Sequence, residues 1–291
     1  MTTSPPTRSL RVHLAGAGRV GTAVAELLRR AGHQIVSVSS RSEESAAKAT
    51  RFLGTPVVPL GGAVPGADTI LLGVTESAIE EVCRAVVPSL EAGATVVHFA
   101  GAYGIAPLSP AFEAGHPVAA LHPVQACPDI DAALRRLPGS AWGVTCIEGI
   151  ETWCDELVAG LSGVPVPLPE SARPLWHAAS VTTSNAIAAL LAVGEALLES
   201  AGIADPVAVL GPLAAGTVAN AREGGGGART LTGPAVRGEA GTIARHLDAM
   251  PPHLAPAYRL AVRLVLEAAA ASDRIAPDTH ARIAGLVRDP S

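Results

Sequence analysis

The chain has 291 residues and a formal net charge of −5, with 48% apolar, 16% charged and only 3% aromatic side chains. That length points to two domains. The apolar content supplies an aliphatic core, and the acidic balance excludes a general nucleic-acid binder, which needs a basic face to displace counterions. The opening "MTTSPPTRSLRV" lacks the apolar stretch of a signal peptide. No run approaches the roughly 20 apolar residues that span a bilayer; the longest, "AIAALLAVGEALL", carries Glu195. The four cysteines, Cys83, Cys127, Cys146 and Cys154, form no C-x-x-C pair. They fit a reduced, cytoplasmic setting, and no metal site is read from them. Lys48 is the only lysine and sits in the polar run "SEESAAKAT", so a catalytic lysine elsewhere is excluded.

In chain order, "LRVHLA" reads as a buried strand. Gly16, Gly18 and Gly21 follow in G-x-G-x-x-G spacing, then the Ala/Leu-periodic helix "TAVAELLRRAGH" with Gly32 as its stop. Strand before and helix after make this a dinucleotide loop. Gly16 allows the turn, Gly18 lets the backbone approach a pyrophosphate, and Gly21 lets helix and strand pack. Arg19 and Val20 lie inside the same loop, and the helix N-terminus offers free N–H groups to phosphates.

The next strand, "QIVSVSS", ends on Ser39, Ser40 and Arg41, where a NAD-binding domain usually carries Asp or Glu for the ribose 2′-hydroxyl. Hydroxyls and a guanidinium suit a 2′-phosphate instead, which predicts NADP, with Arg19 adding a second positive charge. Strands "ADTILLGV", "ATVVHFAG", "PVAALHPV", "AWGVTCIE" and "VPVPL" then alternate with helices, which predicts a parallel, doubly wound sheet. Ligands sit at the carboxyl ends of such strands. Val74, Thr75, Ala100 and Gly101 are therefore candidate cofactor contacts, and His122 a candidate substrate-site residue. His98 reads equally well as a packing residue. Nothing adjacent activates Cys127, so it is taken as structural.

After "VPVPLPESARP" the strand signals stop, which places the domains at 8–168 and 169–291. "LWHAASVTTSNAIAALLAVGEALLESAG" is a long helix, apolar nearly throughout, which predicts burial on most sides. Its polar residues His177, Ser184 and Asn185 lie seven and eight apart, near one face. Buried polar groups need partners, so they pair with one another or face a ligand, with Asn220 of the next helix joining them. "LTGPAVRGEAGTIARHL" is broken at Thr232-Gly233-Pro234 and at Gly238. A helix from Glu239 to Leu247 then carries Glu239, Thr242 and His246 on one face. Arg237 and Thr232 at these breaks suit a carboxylate.

The segments "LAGAGRVG", "HFAGAYG", "LHPVQACPD", "WHAASVTTSNAIAAL" and above all "LTGPAVRGEAGTIARHL" carry a family resemblance over almost the whole chain. The chain resembles the Rossmann-like proteins whose second half is a helical domain of unknown function. More widely it is similar to pyrroline-5-carboxylate reductases, hydroxyacid dehydrogenases and ketopantoate reductases. The resemblance implies an α/β Rossmann domain followed by an all-α C-terminal domain of the 6-phosphogluconate dehydrogenase-like kind, with a cleft between the halves. Some members of the family are linked to an alternative ketopantoate reductase activity. Two departures stand out: the familiar ketopantoate reductases and hydroxyacid dehydrogenases use a second-domain lysine that is absent here, and the family's RGD carries Glu239 in place of Asp. Glu is the poorer N-cap, which points Glu239 towards pairing with Arg237.

The expected function is NADPH-dependent reduction of a small 2-oxo acid, ketopantoate among the options. Arg237, Thr232 and Asn185 would hold the carboxylate, and Glu239, His246 and Asn220 would complete the substrate face. His122 or His177 would donate the proton, since an imidazole is accessible in either form at neutral pH. An imine reductase of the pyrroline-carboxylate type and a non-catalytic NADP sensor or scaffold are the rivals. The expected partners are a small carboxylate and a second copy of the chain, docked through the helical domain because an apolar helix outruns what one small domain can cover; neither nucleic acid nor a membrane is expected.

Overall fold

The structure is a computed structural model and describes residues 9–64 and 66–288. Residue 8, the expected domain start, and the residues before it lie outside the described ones. The chain divides into two compact units between Thr182 and Thr183.

In the first unit, β1 (Arg11–Ala15), β2 (Gln34–Ser39), β3 (Val57–Val58), β4 (Thr69–Leu72), β5 (Thr95–His98), β6 (Val118–Pro123), β7 (Ala141–Cys146) and β8 (Val164–Pro167) form one sheet. Its order is β3-β2-β1-β4-β5-β6-β7-β8. The connecting helices are α1 (Arg19–Arg30), α2 (Glu43–Leu53), α3 (Ile79–Val86), α4 (Ser109–Glu113), α5 (Ile130–Arg136) and α6 (Glu151–Gly160). Strand side chains alternate between two cores. Val12, Leu14, Val97 and Leu121 meet α1, α2, α5 and α6 on one face, while Ile70, Leu72, Val96 and Val118 meet α3 and α4 on the other. A sheet covered on both faces explains why β4 and β5 are buried at every position.

The sheet is not wholly parallel, which corrects the sequence reading. β6 and β7 pair antiparallel, with His122 opposite Gly143. The intervening α5 packs beside α1, and the chain re-enters the sheet at the end where β6 leaves it, with Pro123 opposite Trp142.

The boundary also differs from residue 169. α7 (Arg173–Ser200) begins within the first unit, because Arg173 at its start is fully buried and bonded to the sheet. Its remaining length corrects the burial expectation: Arg173 is the only buried residue of α7, and Leu175, Val181, Ile187 and Leu190 are exposed. The stretch Glu170–Ser200 is long and apolar enough, by length and composition alone, to cross a membrane. Counting unbroken apolar runs misses this, because scattered Ser, Thr and Asn lower the mean only slightly.

The second unit continues with α8 (Pro206–Glu223), α9 (Gly227–Thr230), α10 (Pro234–Arg237), α11 (Ala240–Ala249), α12 (Ala255–Ala270) and α13 (Pro277–Leu286). Its buried core is small: Ala235, Ile243, Val262, Leu266, Ile283 and Val287, from α10 to the end of α13 and just beyond. Among the described residues neither α7 nor α8 contributes to that core, which leaves their apolar side chains exposed.

Candidate functional site

A groove of about 720 Å³ lies in the first unit, at the loops that follow β1, β2, β4 and β5. Gly16, Gly18, Arg19, Val20 and Gly21 form one end, with Ser40 and Arg41 beside them. Val74, Thr75, Ala100 and Gly101 form the middle, and His122 and His177 the far end. Every cofactor candidate named from the sequence lines it except Ser39, as do His122 and His177.

Gly16 makes the turn its spacing predicts, and Gly18 packs against the β4 loop. Gly16 has φ +89°, a left-handed backbone that other residues rarely adopt, and its N–H donates to the Ser39 carbonyl at 2.7 Å. Gly18 donates its N–H to the Gly73 carbonyl at 2.8 Å, and any Cβ on Gly18 would collide with that carbonyl. α1 therefore starts hard against the β4 loop. No side chain caps its N-terminus and its first turn holds no acidic residue, so its free N–H groups and positive dipole end are left for an anion.

Ser39 is the exception, and the reason is the pleat. Its side chain points inward and is fully buried, bonded to His13 Nε2 at 3.1 Å, while His13 Nδ1 meets the Ser37 hydroxyl at 2.8 Å. Only the Ser39 carbonyl serves the loop. Ser42 and Ser45, which the sequence reading passed over, line the groove beside Ser40 and Arg41. The Arg41 guanidinium is exposed, 3.6 Å from Glu81, and Arg19 donates to the Pro128 carbonyl at 2.8 Å.

The far end is built on Gly101. A Cβ there would lie 2.5 Å from His177 Cδ2 and 2.9 Å from His122 Nε2. The two rings meet edge to face, centroids 5.7 Å apart. Trp176 Nε1–H donates to His122 Nδ1 at 2.9 Å, so His122 carries its proton on Nε2, the atom beside Gly101. Burial, with the neighbouring His177 and Arg173, pushes the His122 pKa down to about 4. His122 is thus neutral at pH 7 and offers an N–H hydrogen bond, not an imidazolium proton.

Arg173, missed in the sequence, ties this end together. It donates to Thr145 Oγ1 at 2.9 Å, Ala120 O at 2.6 Å, Gly143 O at 3.0 Å and Ala100 O at 3.3 Å. Burial lowers its pKa to about 10, opposed by Glu170. Two other missed carboxylates shape the loop after β5. Glu170 accepts from Gly104 N and Ile105 N at 3.1 and 3.0 Å. Glu76 accepts from Gly101 N and Ala102 N at 3.2 and 3.4 Å.

His98 resolves to a packing residue. It is fully buried, its Nδ1 accepts from Ala100 N at 3.0 Å and its Nε2–H donates to Gly104 O at 2.6 Å. Cys127 lines the groove, but burial pushes its thiol up, which does not favour a reactive thiolate.

The second-unit candidates stand as follows. Arg237 is exposed and paired with Glu239, Nε to Oε1 at 2.6 Å. Glu239 caps nothing with its side chain, in keeping with the pairing read from the sequence. His246 Nδ1 meets the Tyr258 hydroxyl at 2.7 Å. Thr232, Asn185 and Asn220 are exposed, and Asn185 accepts only a long 3.4 Å bond from Ser184. The polar stripe of α7 beyond His177 therefore carries no burial cost.

Residues 3–123 match the family described as a Rossmann-like domain, and residues 140–264 match the domain of unknown function DUF2520. No curated protein matches the sequence. Among solved structures, the chain is similar to a Bacteroides fragilis protein proposed as an NADP oxidoreductase, with 24% identity, a TM-score of 0.75, and 88% of this chain and 98% of that one covered. It is also similar to a pyrroline-5-carboxylate reductase from Coxiella burnetii, with 15% identity, a TM-score of 0.58, and 96% and 97% covered. A third is a reductive aminase from Aspergillus terreus in complex with NADPH and ethyl-5-oxohexanoate, with 18% identity, a TM-score of 0.57, and 96% and 93% covered. The chain thus carries a Rossmann-like domain followed by a DUF2520 domain, with the fold of these proteins.

Proposed function

We propose that this Rossmann-like chain is an NADP-dependent oxidoreductase that reduces a small polarised double bond, C=O or C=N. The observation that carries the reading is the groove that begins on an uncapped glycine-rich helix start and ends on two imidazoles over Gly101. Its residues fit a dinucleotide: a glycine turn packed hard against the β4 loop, free N–H groups at the start of α1 for a pyrophosphate, and Ser40, Ser42 and Arg41 for a 2′-phosphate. NADPH, when bound, supplies the hydride.

The chain's own residues do the rest. In the carbonyl form, His122 holds the oxygen through Nε2–H, as a neutral donor oriented by Trp176. His177, the other ring at Gly101, delivers the proton that a ketone oxygen needs as it becomes an alcohol. The carbonyl form of the proposal is a 2-oxo acid, ketopantoate among the options. The imine form needs less acid catalysis, since its nitrogen can arrive protonated. A cofactor sensor without turnover has no use for the paired imidazoles. We propose a homodimer as the working form, because α7 and α8 expose large apolar side chains.

The test is a titration with NADPH and NADH, followed by nicotinamide fluorescence. Tighter binding of NADPH, reduced about tenfold in Arg41→Ala with NADH binding little changed, supports the 2′-phosphate reading. No binding of either nucleotide sinks the oxidoreductase.

A further inference from the structure

Three side chains converge on Gly101, not two. His122 and His177 stand over its α-carbon, and Glu76 takes its N–H. Glu76 follows β4 by a short turn and carries the only carboxylate among the described residues lining the groove. The groove's arginines, Arg19 and Arg41, flank the glycine loop at the other end and are turned to Pro128 and Glu81. His122 is neutral at pH 7. Arg173 lies nearby, but its bonds run inward to Thr145 and three backbone carbonyls.

Glu76 and Glu170 both hold the loop after β5, yet in different ways. Glu170 uses both oxygens, Oε1 for Gly104 N and Oε2 for Ile105 N. Glu76 uses Oε1 alone, for two long bonds at 3.2 and 3.4 Å. Its Oε2 has no partner among the described residues. A neutral Gln would satisfy the same two N–H groups. A half-buried carboxylate with a spare oxygen is costly to desolvate unless a cation meets it.

We propose that the substrate of this groove carries a positively charged nitrogen at its reacting carbon, an iminium in the reductive direction and an ammonium in reverse, and that Glu76 is its counter-ion. This rests on the oxidoreductase reading and selects its C=N form. Hydride addition to an iminium carbon moves the C=N pair onto nitrogen and yields a neutral amine, which then takes a proton to become ammonium. No proton is needed in the hydride step itself. A carboxylate beside the bond therefore aids binding, whereas it would oppose the negative charge that develops on a ketone oxygen.

The test uses pyrrolidine, a cation at neutral pH, against its uncharged isostere tetrahydrofuran. Each is titrated calorimetrically into the full-length protein saturated with NADP⁺, as wild type and as Glu76→Gln. A charged hydrogen bond predicts a preference for pyrrolidine of about tenfold or more. In Glu76→Gln, which keeps the acceptor for both N–H groups, that preference falls to near one, and Δ1-pyrroline-dependent NADPH oxidation falls with it. Absence of pyrrolidine binding, equal binding of the two rings, or a preference that survives in Glu76→Gln overturns the proposal. Turnover of 2-oxo acids with NADPH, unaffected by Glu76→Gln and without turnover of Δ1-pyrroline, overturns it while the oxidoreductase reading stands. Failure of the wild type to bind NADPH removes both.

Discussion

Trp176 donates its indole Nε1–H to Nδ1 of His122 at 2.9 Å, and this bond decides which face of the imidazole carries the proton. With Nδ1 occupied as an acceptor, the Nε2–H is directed to Gly101, where a ligand's heteroatom would meet it. The same bond opposes a second proton on the ring, alongside the burial that already holds its pKa to about 4. Trp176→Phe keeps the aromatic body and removes the donor. We expect a loss of about 1 kcal/mol in stability, a rise in the His122 pKa and a mixture of tautomers. Imidazole nitrogen chemical shifts across a pH series read this directly; a ring still held in one tautomer would show that Trp176 does not orient it.

Arg173 spreads one guanidinium over carbonyls of residues 100, 120 and 143 and the hydroxyl of Thr145. The loop after β5 and the strands β6 and β7 are thereby fixed to the start of α7, which carries Trp176 and His177. Arg173→Met fits the apolar length but strands those acceptors in the interior. The cost is expected to be about 3 kcal/mol, seen as a lower denaturation midpoint at unchanged slope. Arg173→Lys recovers only part of it, because a single ammonium cannot reach all four acceptors. Full recovery by Lys would mean that charge alone matters here.

Much of the first unit was legible in the sequence because its signals are local. The glycine spacing, the strand before it and the helix after it lie within one short stretch, and the loop formed as expected. The Arg237–Glu239 pair spans two residues and was equally readable. Ser39 failed for a local reason of another kind: a strand alternates faces, and the sequence did not say which serine at its end turns inward to His13. Arg173 was illegible because its partners come from strands far apart in the chain and meet only in the folded sheet. Glu76 reads in sequence as an ordinary helix start; its role depends on a loop 25 residues away. The exposure of α7 was misjudged because apolar composition specifies a need for cover without naming what provides it.

Acid should weaken the fold through its buried imidazoles. His13 and His98 are fully enclosed, and burial lowers each from the ordinary 6.5 to about 4. The unfolded chain takes up these protons below pH 6.5, while the folded chain resists until about 4. The stabilisation is therefore complete above 6.5 and lost as pH falls through this window, by up to about 3 kcal/mol for each ring. Denaturant titrations between pH 7.5 and 4.5 should show this decline. His13→Gln should flatten part of it, since one contributing ring no longer titrates, while His98 and His122 still do. A stability that stays level over this range would mean that these rings already carry their protons in the fold.

The exposed apolar faces of the second unit need cover, and a second copy of the chain is the occupant we propose. Val207, Val209 and Leu213 on α8 are 63%, 55% and 66% exposed, and Leu260 and Leu264 on α12 are 50% and 54% exposed. Isolated surface leucines are ordinary, but runs of them along one helix are not. At about 25 cal/mol per Å², hiding such faces supplies enough free energy to hold two chains together even after the entropy of association is subtracted. Sedimentation equilibrium should give twice the chain mass of 29.3 kDa. Val207→Asp with Leu213→Asp should shift it towards the single mass, because each buried carboxylate would lack a partner. A wild-type protein that sediments as a single chain sinks the dimer. Recovery only in the membrane fraction would instead assign the apolar length of α7 to lipid.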